Sequence, residues 1–342
     1  MCTVSTSNKD PSPDRYHHGD LRRALVDEAL VLLAESGDGG FSLRELARRV
    51  GVTANASYRH FANKEALMLA LAAEEWPGIG TYRRVGDMLR RAELDVVAII
   101  TPHNTHGRLA LQCLKAGVGV VVEKPMAVRT KEIKAMIAMA KRRRVMLSTF
   151  HNRRWDGDFM VLRNLIRKEK IIGRVFKVEA HMGGYREQGG WWRSDRKISG
   201  GAIYDWGAHF MDWILNIVSD DMEWVSGYQA KNRAWRGYTN EDHSEVTVKF
   251  KGGCMSHLTI TNMSMDQRPR WRILGDRGSI VAGDGAFEVN SLVNGRQMTT
   301  TVPYGQQDLH AFYTNVCRHL QGRARLAVTA ESAARVVAVL EA

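Results

Sequence analysis

The chain has 342 residues, of which 44% are hydrophobic and 25% are charged, a composition typical of a globular protein with two or three domains. No apolar run approaches the roughly 20 residues that span a bilayer, and residues 1–20 are too polar for a signal peptide. The four cysteines have no paired spacing, which argues against a disulfide framework and a structural zinc site. We therefore expect a cytoplasmic protein without a bound metal or a membrane partner.

The net charge of +12 is unevenly distributed along the chain. Residues 1–75 hold slightly more acidic than basic residues, so the basic excess lies in the remainder of the sequence. Charge alone therefore predicts no nucleic-acid partner for the first segment.

The first segment begins with a polar leader, residues 1–15, which we expect to be disordered. From Leu21 to Leu33, apolar residues recur at helical spacing until Gly37 ends the run. This pattern predicts a first amphipathic helix.

Two short helices are predicted next. Ser42 and Glu45 form a capping box for one helix, which Gly51 interrupts, and a third helix covers about Ala54–His60. Asn63 can cap a fourth helix. Two short helices joined by a glycine turn have the spacing of a helix-turn-helix.

The segment that runs from Tyr16-His17-His18-Gly19-Asp20-Leu21 to Tyr58-Arg59-His60-Phe61-Ala62-Asn63-Lys64-Glu65-Ala66-Leu67 resembles a TetR-type DNA-binding domain. The resemblance implies a domain over residues 16–75 whose third helix enters the major groove of duplex DNA. It implies base contacts by Asn55, Ser57 and Arg59, phosphate contacts by Tyr58 and Lys64, and assistance from Thr53 and Arg44. The alternative is a small helical appendage with a solvated basic face.

Residues 76–81 form a turn-rich junction, after which residues 82–150 alternate between helical and strand patterns. The predicted strands are Asp95–Ile100, Val118–Val122 and Val145–Phe150. This alternation is typical of a parallel, doubly wound sheet.

The second strand ends in Glu123-Lys124-Pro125, at the carboxyl end where open α/β sheets form ligand crevices. The sequence there resembles the Glu-Lys-Pro motif of the Gfo/Idh/MocA oxidoreductases. The resemblance implies that these three residues, together with Thr101, Pro102, Asn104 and His106, lie by the nicotinamide end of NAD or NADP. A plain strand-to-helix loop is the alternative for residues 101–106.

That family's cofactor domain opens with a Gly-x-Gly-x-x-Gly loop for the pyrophosphate, and this sequence contains no such motif. The helical segment takes the place of the first half of the domain. We therefore expect a truncated Rossmann-like sheet whose strand 95–100 is an edge, and an impaired phosphate-binding site.

Residues 151–342 are predicted to form an α+β substrate and oligomerisation domain with a mostly antiparallel sheet. Ser199-Gly200-Gly201-Ala202-Ile203-Tyr204-Asp205-Trp206-Gly207-Ala208-His209 resembles a second motif of the same family. Asp205 and His209 lie four residues apart and share a helix face. The resemblance implies catalysis by Lys124, Asp205 and His209 on the hydroxyl of a sugar, cyclitol or polyol.

The sequence thus indicates a multidomain protein: an N-terminal all-α helix-turn-helix bundle, a truncated Rossmann-like sheet and a C-terminal α+β domain. An NAD(P)-dependent oxidoreductase that forms a homodimer or homotetramer is one interpretation. The others are a DNA-binding regulator with an inactive oxidoreductase domain as sensor, and a fusion with neither activity.

Overall fold

The computed structural model describes residues 21–36, 41–75, 80–187, 191–233 and 237–342. The chain divides into two compact units, residues 1–92 and 93–342. The predicted leader, residues 16–20, Gly37 and most of the junction lie outside the described residues.

The first unit is helical in its described part. Its helices are α1 (Leu21–Ser36), α2 (Leu43–Arg49), α3 (Ala54–His60), α4 (Lys64–Glu75) and α5 (Val85–Arg91). Leu25, Leu46 and Leu67, from three different helices, are fully buried and meet in one apolar core. The unit therefore has a core of its own.

Local signals explain the helix boundaries. The Ser42 hydroxyl accepts a hydrogen bond from the Glu45 amide at 3.1 Å, and the Asn63 side chain accepts one from the Ala66 amide at 2.9 Å. Gly51, between α2 and α3, has a φ of +76°, a conformation that favours glycine. The two short helices and their glycine turn have the predicted bounds.

The second unit begins with a three-stranded parallel sheet. Its elements are β1 (Val96–Ile99), α6 (His106–Lys115), β2 (Gly119–Val122), α7 (Thr130–Arg143) and β3 (Leu147–Thr149). Among the described residues the strand order is β1-β2-β3, which places β1 at an edge of this sheet, as predicted. Ile100, directly after β1, leaves 74% of its surface exposed. β2, whose four residues are all buried, is the central strand.

The remaining chain forms an eight-stranded sheet and its covering helices. The elements are α8 (Gly157–Arg167), β4 (Val175–Gly183), α9 (Arg196–Ser199), α10 (Ile203–Ile217), β5 (Met222–Ala230), β6 (His243–Phe250), β7 (Met255–Thr261), β8 (Trp271–Gly275), β9 (Gly278–Ala282), β10 (Ala286–Val293), β11 (Arg296–Pro303), α11 (Ala311–Leu320) and α12 (Ala330–Glu341). The order is β11-β10-β9-β8-β4-β7-β6-β5, and β4–β7 is its parallel pair. The sheet is mostly antiparallel, as predicted.

Helix α10 is the central helix of this unit. It packs on β7, α8 and α12, and twelve of its fifteen residues are buried. Every second residue of β6, from Ser244 to Phe250, is buried as well. Side chains of α10 are thus held between the sheet and neighbouring helices. Among the helices of the described residues, none is long and apolar enough to cross a membrane.

Candidate active site

Polar side chains gather where the three parallel strands end. Thr101 follows β1, Glu123 and Lys124 follow β2, and His151 follows β3. Because the carboxyl ends of parallel strands share one edge of the sheet, these residues lie at one crevice edge. These side chains therefore lie at the sheet edge where the sequence predicted a ligand crevice.

Lys124 and Asp205 form an ion pair between the parallel sheet and α10. The Lys124 Nζ donates to the Asp205 carboxylate and, at 3.1 Å, to the Asp205 main-chain oxygen. The Lys124 side chain is only 11% exposed. Burial acts to raise the pKa of Asp205, but the Lys124 ammonium outweighs it, so the pKa is lowered and the carboxyl stays ionised.

The start of α10 is fixed by a buried carboxylate. Glu241 accepts the Ile203 amide at 3.0 Å and is 3% exposed. Gly201 precedes the helix with a φ of +135°, and a Cβ built there would lie 2.9 Å from the Glu241 carboxylate. A glycine is required at this position, which explains part of the Gly-Gly signal and sets the orientation of Asp205.

His209 lies one turn beyond Asp205, as the spacing predicted. It is 6% exposed, and its Nδ1 has no partner among the described residues. Burial, reinforced by the Lys124 ammonium, lowers the pKa of His209 well below its usual 6.5. The imidazole is therefore neutral at pH 7 and is able to accept a proton.

His151 is a site residue that the sequence reasoning missed. It is buried, and its ring centroid lies 6.3 Å from that of His209. Burial lowers the pKa of His151 to about 4. No motif surrounds His151, and its position directly after β3 was the available signal.

A buried ion pair lies beneath the two histidines. Arg154 donates through Nε to Asp212 at 2.8 Å and through Nη2 at 2.6 Å, and it also reaches the Ala327 oxygen and the Ser332 hydroxyl. Burial acts to raise the pKa of Asp212, but the neighbouring His151 ring and the Arg154 guanidinium lower it overall. Because Asp212 follows His209 by three residues on α10, this pair anchors the helix face that carries the site.

The loop after β1 differs from the prediction. His106 is fully buried, and its ring nitrogens lie 2.9 Å from the Pro125 oxygen and 2.7 Å from the Thr101 oxygen. The prediction that His106 contacts a cofactor is therefore wrong. The ring instead connects the loop after β1 with the loop after β2. Asn104 is exposed and lines a different cavity of about 1030 Å³, away from Lys124.

The remaining residues of the two loops differ in burial. Thr101 and Pro102 are partly exposed at the end of β1. Glu123 accepts the Lys124 amide at 2.8 Å, and burial raises the pKa of its carboxyl. Pro125 is buried, so its contribution is to shape the loop.

A cavity of about 300 Å³ opens beside Asp205. Among its lining residues are Arg186, Trp191, Arg193, Trp206 and Asn262. Such a mixture of aromatic and polar groups suits a hydroxylated ring.

The residues of the helical unit that were predicted to contact DNA differ in their exposure to solvent. Thr53 is exposed and caps α3; Arg44, Asn55, Tyr58 and Arg59 are exposed as well. Ser57 is fully buried and donates to the Ala54 oxygen at 2.7 Å, so a base contact by Ser57 is wrong. Lys64 donates to the Phe41 oxygen at 2.7 Å, so its ammonium contacts the fold, and its contact with a phosphate stays a prediction.

Metal ligands were not expected, and no cluster of three or more metal-ligating side chains occurs within the residues that the structure describes.

Two family profiles match the sequence. The profile described as "GFO/IDH/MocA C-terminal domain" matches residues 159–281, and "Oxidoreductase family, NAD-binding Rossmann fold" matches residues 44–151. Together they cover more than half of the chain. The second match begins within the helical unit, whereas the first described parallel strand begins at Val96.

Individual relatives agree with these matches. The uncharacterized oxidoreductase C115.03 of Schizosaccharomyces pombe is 27% identical over 61% of this chain and 58% of its own length, so the chain spans little more than half of it. The scyllo-inositol 2-dehydrogenase (NADP(+)) IolW of Bacillus subtilis is 23% identical over 78% of this chain and 81% of its own length.

Among solved structures, an NAD-binding protein from Listeria innocua has the same fold, with a TM-score of 0.72, 24% identity and coverage of 80% of this chain and 85% of that one. The matched domains, the Lys124–Asp205 pair and the fold together give one conclusion: this chain belongs to the Gfo/Idh/MocA family of oxidoreductases.

Proposed function

We propose that the chain is an NAD(P)-dependent oxidoreductase that acts on a hydroxyl of a sugar, cyclitol or polyol. The observation that carries the proposal is the Lys124–Asp205 ion pair beside the neutral His209, at the carboxyl ends of parallel strands. The printed names of relatives support the substrate class, since IolW is a scyllo-inositol dehydrogenase and a relative in Thermotoga maritima is a myo-inositol 2-dehydrogenase.

The crevice fits one end of the cofactor. His103 Nε2, Thr149 Oγ1 and the Nδ1 atoms of His151 and His209 are buried without partners among the described residues, as expected where a polar ligand completes the site. Thr101, Pro102 and the Glu123–Pro125 segment would contact the nicotinamide end. Since the sequence has no Gly-x-Gly-x-x-Gly loop for the pyrophosphate, we propose that binding of NAD or NADP is weakened.

Each side chain has a separate task in this proposal. Bound NAD or NADP would supply the hydride acceptor. The Lys124 ammonium donates a hydrogen bond to the substrate hydroxyl oxygen, and Asp205 keeps that ammonium in place. The neutral His209 takes the hydroxyl proton on a ring nitrogen. Self-association into a dimer or tetramer is part of the proposal and is testable by light scattering.

The test of the proton acceptor is His209→Asn, assayed with NAD and NADP against a panel of inositols and hexoses. We expect kcat/KM to fall about a hundredfold. Since the pKa of His209 lies well below 6.5, the imidazole stays neutral as the pH falls through 6.5, and the wild-type profile has no acidic limb there. An acidic limb at pH 6.5 that vanishes in the variant would contradict the lowered pKa of His209. An unchanged kcat/KM in the folded variant would contradict its role as the proton acceptor, and the exposed His310→Asn serves as control.

A second candidate function, duplex-DNA binding by residues 16–75, is favoured by the exposed Asn55, Tyr58 and Arg59 on a short helix that follows a glycine turn. On a mixed-sequence duplex, we expect fluorescence anisotropy to show affinity that falls with salt, and Arg59→Ala to lose about tenfold. Arg90→Ala, in the exposed ion pair with Asp87, is the control. Absence of salt-dependent binding by the wild type would contradict a DNA-binding function.

A further inference from the structure

The guanidinium of Arg193 is held rigidly at the mouth of the candidate active site. Its central carbon lies 4.5 Å from the ring centroid of Trp191 and 4.4 Å from that of Trp192. The Trp192 ring in turn packs against the buried His103, with centroids 4.7 Å apart. Stacking on two indoles fixes the plane of a guanidinium and lowers the entropy that it loses on binding a ligand.

This guanidinium has unused hydrogen-bonding capacity. An arginine side chain offers five N–H donors. The nearest carboxylate oxygen, on Asp205, lies 3.8 Å from Nε, beyond hydrogen-bond distance, and no acceptor for Arg193 is recorded among the described residues. Asp205 already receives the Lys124 ammonium, so its charge is compensated without Arg193.

The donors face a cavity with an excess of positive charge near Lys124. The cavity of about 300 Å³ is lined by the cations Arg186 and Arg193 and by the carboxylates Glu187 and Asp205. Because Lys124 neutralises Asp205, two arginines remain against one exposed carboxylate. Asn262 also lines this cavity.

From this geometry we propose that the site takes a sugar or polyol that carries a carboxylate or a phosphate, with the anion bound by Arg193 and assisted by Arg186. This inference rests on the proposed function for the substrate hydroxyl and deepens it by naming the charge of the substrate. Arg193 lies 3.8 Å from the carboxylate that holds Lys124, so one small ring spans both the anion site and the hydroxyl site. The planar fork of Arg suits either anion.

The test is a binding titration that needs neither cofactor nor turnover. Trp191 and Trp192 contact Arg193 directly, so tryptophan fluorescence reports the site. We expect D-glucuronate or D-glucose 6-phosphate to bind about ten- to a hundredfold more tightly than D-glucose, and the two anions separate the carboxylate from the phosphate. Arg193→Gln should remove the preference for the two anions over D-glucose.

Two further variants keep the test decisive. Arg186→Gln, at an exposed position, should weaken the anion preference severalfold, and Arg272→Gln, at an exposed position on β8, should have no effect. Equal affinity for all three sugars, a preference that survives Arg193→Gln, or no response to any sugar at tens of millimolar overturns the proposal. If the protein binds the anionic sugars more tightly than D-glucose but catalyses no oxidation, only the proposed reaction is refuted.

Discussion

Replacement of Lys124 by methionine is expected to lower kcat/KM for polyol oxidation by about a thousandfold or more, with kcat and kcat/KM falling together. The side chain is 11% exposed and points its ammonium at Asp205. The variant removes the donor to the substrate hydroxyl and leaves the Asp205 carboxylate without its main counter-charge. Steady-state assays of NADH or NADPH formation measure the loss.

Lys134→Met is the matched control, since Lys134 is exposed on α7. Circular dichroism and thermal melting establish that the Lys124 variant is folded. A folded Lys124→Met enzyme with kcat within a factor of a few of the wild type would remove Lys124 from the reaction.

Replacement of Arg154 by methionine is expected to destabilise the second unit by about 3–5 kcal/mol, because it leaves the Asp212 carboxylate buried and uncompensated. Asp212 is 2% exposed, and Arg154 also supplies donors to the Ala327 oxygen and the Ser332 hydroxyl. Urea unfolding followed by fluorescence measures the change in the free energy of unfolding.

A double-mutant cycle separates the lost charge from lost packing. Adding Asp212→Leu to Arg154→Met removes the buried carboxylate, so the double variant should be more stable than Arg154→Met alone. Arg272→Met breaks the exposed Arg272–Glu179 pair, and there we expect a change of about 1 kcal/mol or less. A single variant that unfolds at the wild-type urea concentration would contradict the role of the pair.

Elements bounded by strong local signals were predicted well from the sequence. Helix α3 has the predicted bounds because Thr53 caps its start and Gly51 supplies a positive φ before it. β2 is a short β-branched run ended by a polar pair and proline, and it is buried as expected. Strands β10 and β11 were not predicted. β11 is exposed along nearly all of its length and has no apolar face to mark it, although its partner β10 buries Phe287 and Val289.

Site residues were predictable where a motif fixed the spacing. Asp205 and His209 lie on one face of α10 because they are four residues apart. Burial and tertiary contacts were not predictable: Ser57 is fully buried, and His106 contacts two carbonyl groups. His151 approaches His209 through the tertiary fold alone. The spacing of residues in the sequence does not predict such contacts.

The central claim is that this crevice uses NAD or NADP for the oxidation of a hydroxyl group. The most direct test is a titration of the folded protein with NADH and NADPH, followed by nicotinamide fluorescence. The account predicts saturable binding of at least one cofactor, weakened because no Gly-x-Gly-x-x-Gly loop holds the pyrophosphate. Absence of binding at millimolar NADH and NADPH would contradict it.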